Sequence, residues 1–256
     1  MLAIISDIHS NIEALTAVLD DIDSHGVKTI LCLGDVVGYG PDPVECVRLV
    51  AERAELTLMG NHDAAVVFEP SKFNVAAENS CFWTRGQVEA AEPAPRNACW
   101  DFLGMLPVTV KYDGSELGLG TMVLAHGSPR RPVNEYLFPD DVYTAPNKLQ
   151  GQFERFERLC FVGHTHAPGV FTKGPDWYTP DELEGVWKTN GTEKALINVG
   201  SVGQPRDRDP RASYVLVEPG KVRFMRVPYD AEAVAAKVYA VPELDDYLGT
   251  RLKEGR

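Results

Sequence analysis

Six histidines occur in this chain, and five stand in short polar clusters directly after apolar runs: His9, His62, His126, His164 and His166. Asp7, Asp35 and Asn61 stand among them. A lone Asp-x-His pair means little, because about one acid-x-His pair is expected by chance with 37 acids and 6 histidines in 256 residues. Chance does not readily supply repetition in one structural context. Residues i and i+2 of a strand point to the same side, so Asp7/His9 and His164/His166 could each present two ligands to one ion. Mixed imidazole, carboxylate and amide donors suit Mn, Fe, Co, Ni or Zn, whereas Ca and Mg prefer oxygen ligands. His25 stands apart near a helix end, where it reads as a solvated or dipole-satisfying side chain.

The elements that must position these clusters read as strands feeding loops. Leu2 to Ile5 is a continuous apolar run, the pattern of a strand buried on both faces, and it stops at Ser6-Asp7-Ile8-His9. Ser10 then opens a helix with Glu13 at capping-box spacing. Ile12, Leu15, Val18, Leu19 and Ile22 line one face of it, and Gly26 closes it. Thr29 to Leu33 is a second buried strand, ending at Gly34-Asp35, and Pro43 starts the next helix after a Gly/Pro-rich loop. A third strand, Leu56 to Met59, stops at Gly60-Asn61-His62-Asp63. Strand–helix–strand–helix–strand implies a mainly parallel sheet with helices outside, and ligands of such sheets gather at the carboxyl ends of the strands.

Residues 74–104 read as helix broken at Pro93 and Pro95. Val108 to Tyr112 and Leu117 to Ala125 form a hairpin around an Asp113-Gly114-Ser115 turn, ending at His126-Gly127. Residues 128–150 read as a long loop or lid. Leu159 to Val162 is a strand, and 174–192 reads as a polar surface excursion. Strands near 195–199, 213–218 and 221–227 precede a helical stretch from Ala231. With no internal repeat and no low-complexity linker, residues 1–256 read as a single domain.

Composition narrows the function classes. A hydrophobic content of 44% with 24% charged residues excludes intrinsic disorder. The net charge of −12 argues against an extended nucleic-acid groove and against recruitment to an anionic membrane. An anionic substrate would then need a locally positive site. The five cysteines are an odd number with no CxxC pair, so zinc ribbons and thioredoxin-like chemistry are out, and buried free thiols in a reducing cytoplasm are expected. The opening MLAIISD lacks a basic leader and no apolar run reaches 18 residues, so neither a signal peptide nor a membrane span is expected. Gly118-x-Gly120 lacks the third glycine of a dinucleotide fingerprint, and Ser201 has no spare histidine as base. Asn190-Gly191-Thr192 matches a glycosylation sequon without meaning in a cytoplasmic protein.

Together, Asp7-x-His9, Gly34-Asp35, Gly60-Asn61-His62-Asp63, His126 and Gly163-His164-x-His166 resemble the calcineurin-like metallophosphoesterase superfamily, with all five signature blocks in family order. The segment Asn198 to Arg206 further resembles the small bacterial and archaeal phosphodiesterase branch. The resemblance implies an α/β fold, a four-layer α/β/β/α sandwich with two central mixed sheets. It implies that Asp7, His9 and His166 hold one divalent metal, that Asn61, His126 and His164 hold a second, and that Asp35 bridges them. His62 would not be a ligand but an acid or electrostatic partner for the leaving group. The ions implied are Mn first, with Fe, Ni, Co or Zn as alternatives. Two cations about 3.5–4 Å apart can activate a bridging water and clamp the phosphoryl oxygens. Asn61 contributes a neutral oxygen, which keeps such a centre positive.

The expected function is therefore a dimetal phosphohydrolase, a phosphodiesterase acting on a nucleotide or another small phosphoester. The enzymatic rivals are a phosphomonoesterase and a dinucleoside polyphosphate hydrolase; a non-catalytic scaffold for protein partners is the rival from another class. The protein Ser/Thr phosphatases of the superfamily continue their second block as Gly-Asp-x-x-Asp-Arg-Gly. Here it reads Gly34-Asp35-Val36-Val37-Gly38-Tyr39-Gly40, without the phosphate-gripping arginine. Arg206 is the candidate substrate-binding residue, leaning over the metals from the 198–205 turn; its bland alternative is a surface pair with Asp207 or Asp209.

Overall fold

The computed structural model describes residues 1–189 and 193–256, so the sequon at 190–192 lies outside the described residues. In the first strand Leu2 and Ile4 face one way and Ala3 and Ile5 the other, and all four are buried, so the strand must be covered on both sides. Along the chain run β1 (Leu2–Ile5), α1 (Ile12–Ser24), β2 (Thr29–Cys32), α2 (Pro43–Arg53) and β3 (Leu56–Thr57). Next come α3 (Asn61–Val67), α4 (Val75–Ala90), α5 (Pro93–Gly104), β4 (Thr109–Asp113) and β5 (Thr121–Ala125). Then follow α6 (Asp141–Thr144), α7 (Pro146–Phe153), β6 (Leu159–Val162), β7 (Gly169–Thr172), β8 (Trp177–Tyr178) and β9 (Val186–Lys188). The chain finishes with β10 (Ala195–Asn198), β11 (Ala212–Glu218), β12 (Lys221–Val227), α8 (Ala231–Tyr239) and α9 (Asp246–Glu254).

The strands form two six-stranded mixed sheets, ordered β3-β2-β1-β11-β12-β9 and β4-β5-β6-β10-β7-β8. Leu2, Ile4, Leu31 and Val215 of the first sheet pack on Leu124, Phe161 and Ile197 of the second. The outer face of the first sheet packs Ala3 and Ile5 against the apolar stripe of α1 and against α2 and α5. The outer face of the second packs Val123, Cys160 and Leu196 against Leu149 and Phe153 of α7. The molecule is thus a four-layer α/β/β/α sandwich, as the resemblance implies. The parallel runs β1-β2-β3 and β5-β6-β10 bring six strand ends together at one edge of the molecule.

Several local readings are corrected. The side-chain cap of α1 is Asn11, whose Oδ1 accepts from Ala14 N at 3.0 Å; Ser10 is left-handed, with φ 54°, and belongs to the loop. Pro93 does separate two helices, but Pro95 lies in the first turn of α5, where a missing N–H costs nothing. The hairpin turn is longer than expected, with a 3₁₀ turn over Ser115–Leu117. Residues 128–150 hold α6 and the start of α7 rather than only loop. The 174–192 excursion carries β8 and β9, which add to the edges of different sheets and so staple the two layers. The strand β7, unread in the sequence, also joins the second sheet, and the terminal helical stretch is two helices. No helix among the described residues is long and apolar enough to cross a membrane.

Candidate metal centre

Every polar cluster singled out in the sequence sits on one of the six strand ends. Asp7 and His9 follow β1, Asp35 follows β2, Asn61 and His62 open α3 after β3, His126 follows β5, and His164 and His166 follow β6. The chain turns sharply at these tips. Ten described non-glycine residues have positive φ, and seven of them are site or loop residues here: Asp7, His9, Ser10, Asp35, Tyr39, His164 and His166. Each costs about 1 kcal/mol or more, and such strain gathers where a site over-determines its backbone. The expectation that Asp7/His9 and His164/His166 act as strand pairs on one side is therefore corrected, because these residues lie beyond the strands in left-handed backbone. The two histidines of the last pair in fact separate. His166 joins Asp7 and His9, while His164 joins Asp35 and His126.

The imidazoles are oriented by backbone carbonyls. Nδ1 of His9 donates to Val37 O at 3.2 Å, Nδ1 of His126 to Leu33 O at 3.1 Å, and Nδ1 of His166 to Gln204 O at 2.5 Å. A carbonyl can only accept, so each ring keeps its Nε2 for the site, the usual tautomer of a ligating histidine. His9 Nε2 lies 3.1 Å from His166 Nε2, and His126 Nε2 lies 3.1 Å from His164 Nδ1. Asn61 Oδ1 is 3.2 Å from His126 Nε2. Asp35 Oδ2 is 3.2 Å from His126 Nε2 and 3.7 Å from His9 Nε2, between the two groups. Asp7 Oδ1 is fully buried without an aligned hydrogen bond, although His166 Nε2 is 3.1 Å away. Lone pairs converging at these distances need a positive charge between them, so the donor set fits cations.

The electrostatics agree. Burial resists ionisation of Asp7 and Asp35, yet the surrounding histidines hold both carboxyls well below the usual range. Burial likewise opposes charge on His126, but Asp35 and Asp7 push it up to about 9. Burial, with His126 beside it, pulls His164 down to about 3. Both carboxyls are therefore held ionised and are available to a cation.

Around the cluster lie supports that the sequence did not disclose. Asp63 accepts four backbone N–H groups from the loops of both β2 and β3. His62 is buried, its backbone N–H donates to Asp35 Oδ1 at 2.8 Å, and its ring meets Tyr39 at 4.3 Å and Phe73 at 4.8 Å between centroids. Cys81 Sγ lies 3.6 Å from His62 Nδ1; burial pushes that thiol up to about 12, so it stays an S–H group that can donate to the ring. Asn198 donates to Gly163 O and Thr165 Oγ1, bracing the turn that carries His164 and His166. A Cβ on Gly60 would collide with Asp35 Oδ1 and Asp35 N. Gly60→Ala is therefore expected to lose about 2 kcal/mol or more of stability and a large share of bound metal. Unchanged melting and metal content would mean that the Asp35 loop moves freely.

A cavity of about 360 Å³ opens on Asn61, His62 and His164 and is walled by Tyr39, Phe73 and Tyr136. Tyr136 stacks on the His164 ring at 3.8 Å. Arg206 is half-buried, its guanidinium carbon 5.7 Å from the Tyr39 ring centroid, and it is not paired with Asp207 or Asp209. Those carboxylates are taken by Arg226 and Arg211. Arg130 is held by Glu135, whereas Arg131 reaches the cavity wall.

Comparison with known proteins agrees with this architecture. An uncharacterized protein of Methanocaldococcus jannaschii is 38% identical over 261 residues, covering 100% of this chain and 98% of that protein. The crystal structure of a metallophosphoesterase from Sphaerobacter thermophilus is 35% identical, with a TM-score of 0.81 over 100% of this chain and 98% of that one. A hypothetical protein of Pyrococcus horikoshii shares the fold at 18% identity, with a TM-score of 0.74 over 100% and 99% of the two chains. The calcineurin-like phosphoesterase superfamily domain matches residues 1–221, and with His/Asp clusters able to hold metal on this fold, the chain belongs to that superfamily of metal-binding hydrolases.

Proposed function

We propose that the chain is a phosphodiesterase that hydrolyses a nucleotide or another small phosphodiester with two divalent ions, manganese foremost. Asp7, His9 and His166 would hold one ion, Asn61, His126 and His164 the second, with Asp35 shared. The observation that carries this reading is the cavity beside the cluster: about 360 Å³ with three aromatic walls, it is shaped for a planar group attached to the reacting phosphate. Divalent ions, when bound, supply Lewis-acid charge to the phosphoryl oxygens and to the attacking water.

The chain's own residues supply the rest. Nδ1 donation from His9, His126 and His166 to backbone carbonyls fixes the ring planes and leaves Nε2 basic. Burial pulls His62 down to about 4, despite the pull of Asp35, so its imidazole is neutral at neutral pH. With Nδ1 facing the Cys81 thiol, Nε2–H is the group left to donate to the departing oxygen. Tyr39, Phe73 and Tyr136 grip the leaving group, and Arg206 holds an oxygen on the opposite side. The gap where the protein phosphatases carry an arginine, filled here by Gly38-Tyr39-Gly40, favours a diester over a phosphoprotein. Five buried free thiols support a reducing, cytoplasmic setting.

Chelation is expected to abolish turnover, and Mn to restore it, with bis(4-nitrophenyl) phosphate cleaved at least about ten-fold faster than 4-nitrophenyl phosphate. Full turnover in verified metal-free protein would overturn the metal reading, and a monoester preference would overturn the diester one.

A further inference from the structure

Two exposed aromatic side chains stand beside the cavity. Tyr136 is 41% exposed and Phe138 is 49% exposed, and their rings are parallel within 2° at 5.3 Å between centroids. Tyr136 also stacks on the His164 ring at 3.8 Å, so stacked contacts run from a residue of the donor cluster out to the surface. Among the described residues no other two exposed aromatic rings stack in parallel; Tyr178 and Trp187 are tilted by 32° at 6.2 Å.

Their exposure does not come from a loosely held loop. Leu137, between them, is buried in the cluster of Ala125, Leu149, Phe153 and Phe156. On one side the Glu135 carboxylate accepts from Ser128 Oγ at 2.6 Å and from Gln152 Nε2 at 3.0 Å, and it pairs with Arg130. On the other, Phe138 N donates to Asp141 Oδ2 at 2.8 Å, and Lys148 Nζ donates to the same oxygen at 2.5 Å. Anchors at 135, 137 and 141 thus fix the backbone while both rings stay in water, at a hydrophobic cost that marks a binding surface when it falls beside a cavity. A ring held this firmly loses little freedom when a planar group settles on it.

We infer that Tyr136 and Phe138 form an outer stacking subsite for a second planar group of the substrate, a nucleobase on the side of the phosphorus away from the leaving group. The inference rests on the phosphodiesterase reading and narrows its substrate class to diesters whose retained side is a nucleoside, as in dinucleotides. The leaving group occupies the aromatic cavity, the reacting phosphorus lies at the donor cluster, and the retained base lies on Phe138, reached across Tyr136. A base brings a π-face to the rings and a polar edge to water. A protein partner would need a broad apolar surface, whereas the nearby Asn134 and Asp140 are polar and exposed.

The test compares two diesters with the same leaving group, thymidine 5′-(4-nitrophenyl phosphate) and methyl 4-nitrophenyl phosphate, on the full chain with Mn supplied. The wild type is expected to favour the thymidine ester at least about ten-fold in kcat/KM, chiefly through KM. Phe138→Ala is expected to cut that preference about five-fold or more, and Phe138→Leu nearly as far. Phe138→Trp is expected to keep it whole, because a ring face rather than bulk is needed. Phe138 is exposed, so all three variants should melt close to wild type. A preference untouched in Phe138→Ala, or a loss shared equally by both esters, would overturn the inference. So would Leu serving as well as Trp, which marks a plain apolar contact. Calorimetric titration of thymidine 5′-phosphate against methyl phosphate reads the same subsite without turnover. A wild type that cleaves neither ester would sink the phosphodiesterase reading, and the titration would still decide the subsite: base-dependent binding lost in Phe138→Ala supports it, and binding indifferent to Phe138 removes it.

Discussion

Asp35→Ala should strip the centre of metal and lower turnover at least about a thousand-fold, whereas His62→Ala should keep its metal and lose about 10²–10⁴-fold in kcat. The contrast follows from position. Asp35 Oδ2 stands between the two groups of donors, 3.2 Å from His126 Nε2 and 3.7 Å from His9 Nε2. Removing it deletes a carboxylate that either ion would share and leaves two imidazoles without their counter-charge. His62 has a different place. Its ring lies among Tyr39, Phe73 and Cys81 on the cavity wall, with Nδ1 already engaged. Asp35→Asn separates charge from shape, because an amide oxygen can still accept from His62 N. It should leave the loop intact and yet hold metal poorly. Metal content by mass spectrometry, beside steady-state kinetics on an aryl diester, measures both effects. Metal-free His62→Ala with two ions retained in Asp35→Ala would reverse the assignments.

Much of this site was legible because the strands that carry it are unbroken apolar runs. A strand buried on both faces has no polar position of its own, so Asp7, Asp35 and His126 announce the points where β1, β2 and β5 end. The helical periodicity of α1 was equally plain. What stayed hidden depends on contacts far apart in the chain. The left-handed turns at Asp7, His9, His164 and His166 have no glycine to betray them, and they part His164 from His166 where strand geometry would have paired them. Edge strands β8 and β9 are too short for any alternation to emerge, and only pairing with β7 and β12 defines them. Cys81 and Phe73 look like ordinary core residues in sequence, and both touch His62.

Asp63 is the sharpest case of a residue quoted in a motif whose work lay elsewhere, and its replacement gives the largest expected effect on stability. Its carboxylate is fully buried. Oδ2 accepts from Asp35 N at 2.7 Å and Gly60 N at 2.9 Å, while Oδ1 accepts from Val36 N at 2.9 Å and Val37 N at 3.2 Å. One side chain thereby closes the loop after β2 onto the start of α3 and holds Asp35 at its φ of 52°. Burial and the neighbouring Asp35 charge push Asp63 up, against the pull of those N–H donors. Asp63→Ala strands four buried donors, and even with water admitted the cost should reach about 3–5 kcal/mol. At a few degrees per kcal/mol for a chain of this size, melting should fall by roughly 10 °C. Asp63→Asn is the decisive variant. It has the same shape, but its amide can offer oxygen to only one of the two donor pairs and must point N–H groups at the other. It should therefore be nearly as damaging as alanine, and any folded fraction should bind metal weakly, because the Asp35 backbone is no longer held. A denaturant melt placing Asp63→Asn within about 1 kcal/mol of wild type would mean that the loop is fixed by packing, and that the four hydrogen bonds are incidental to it.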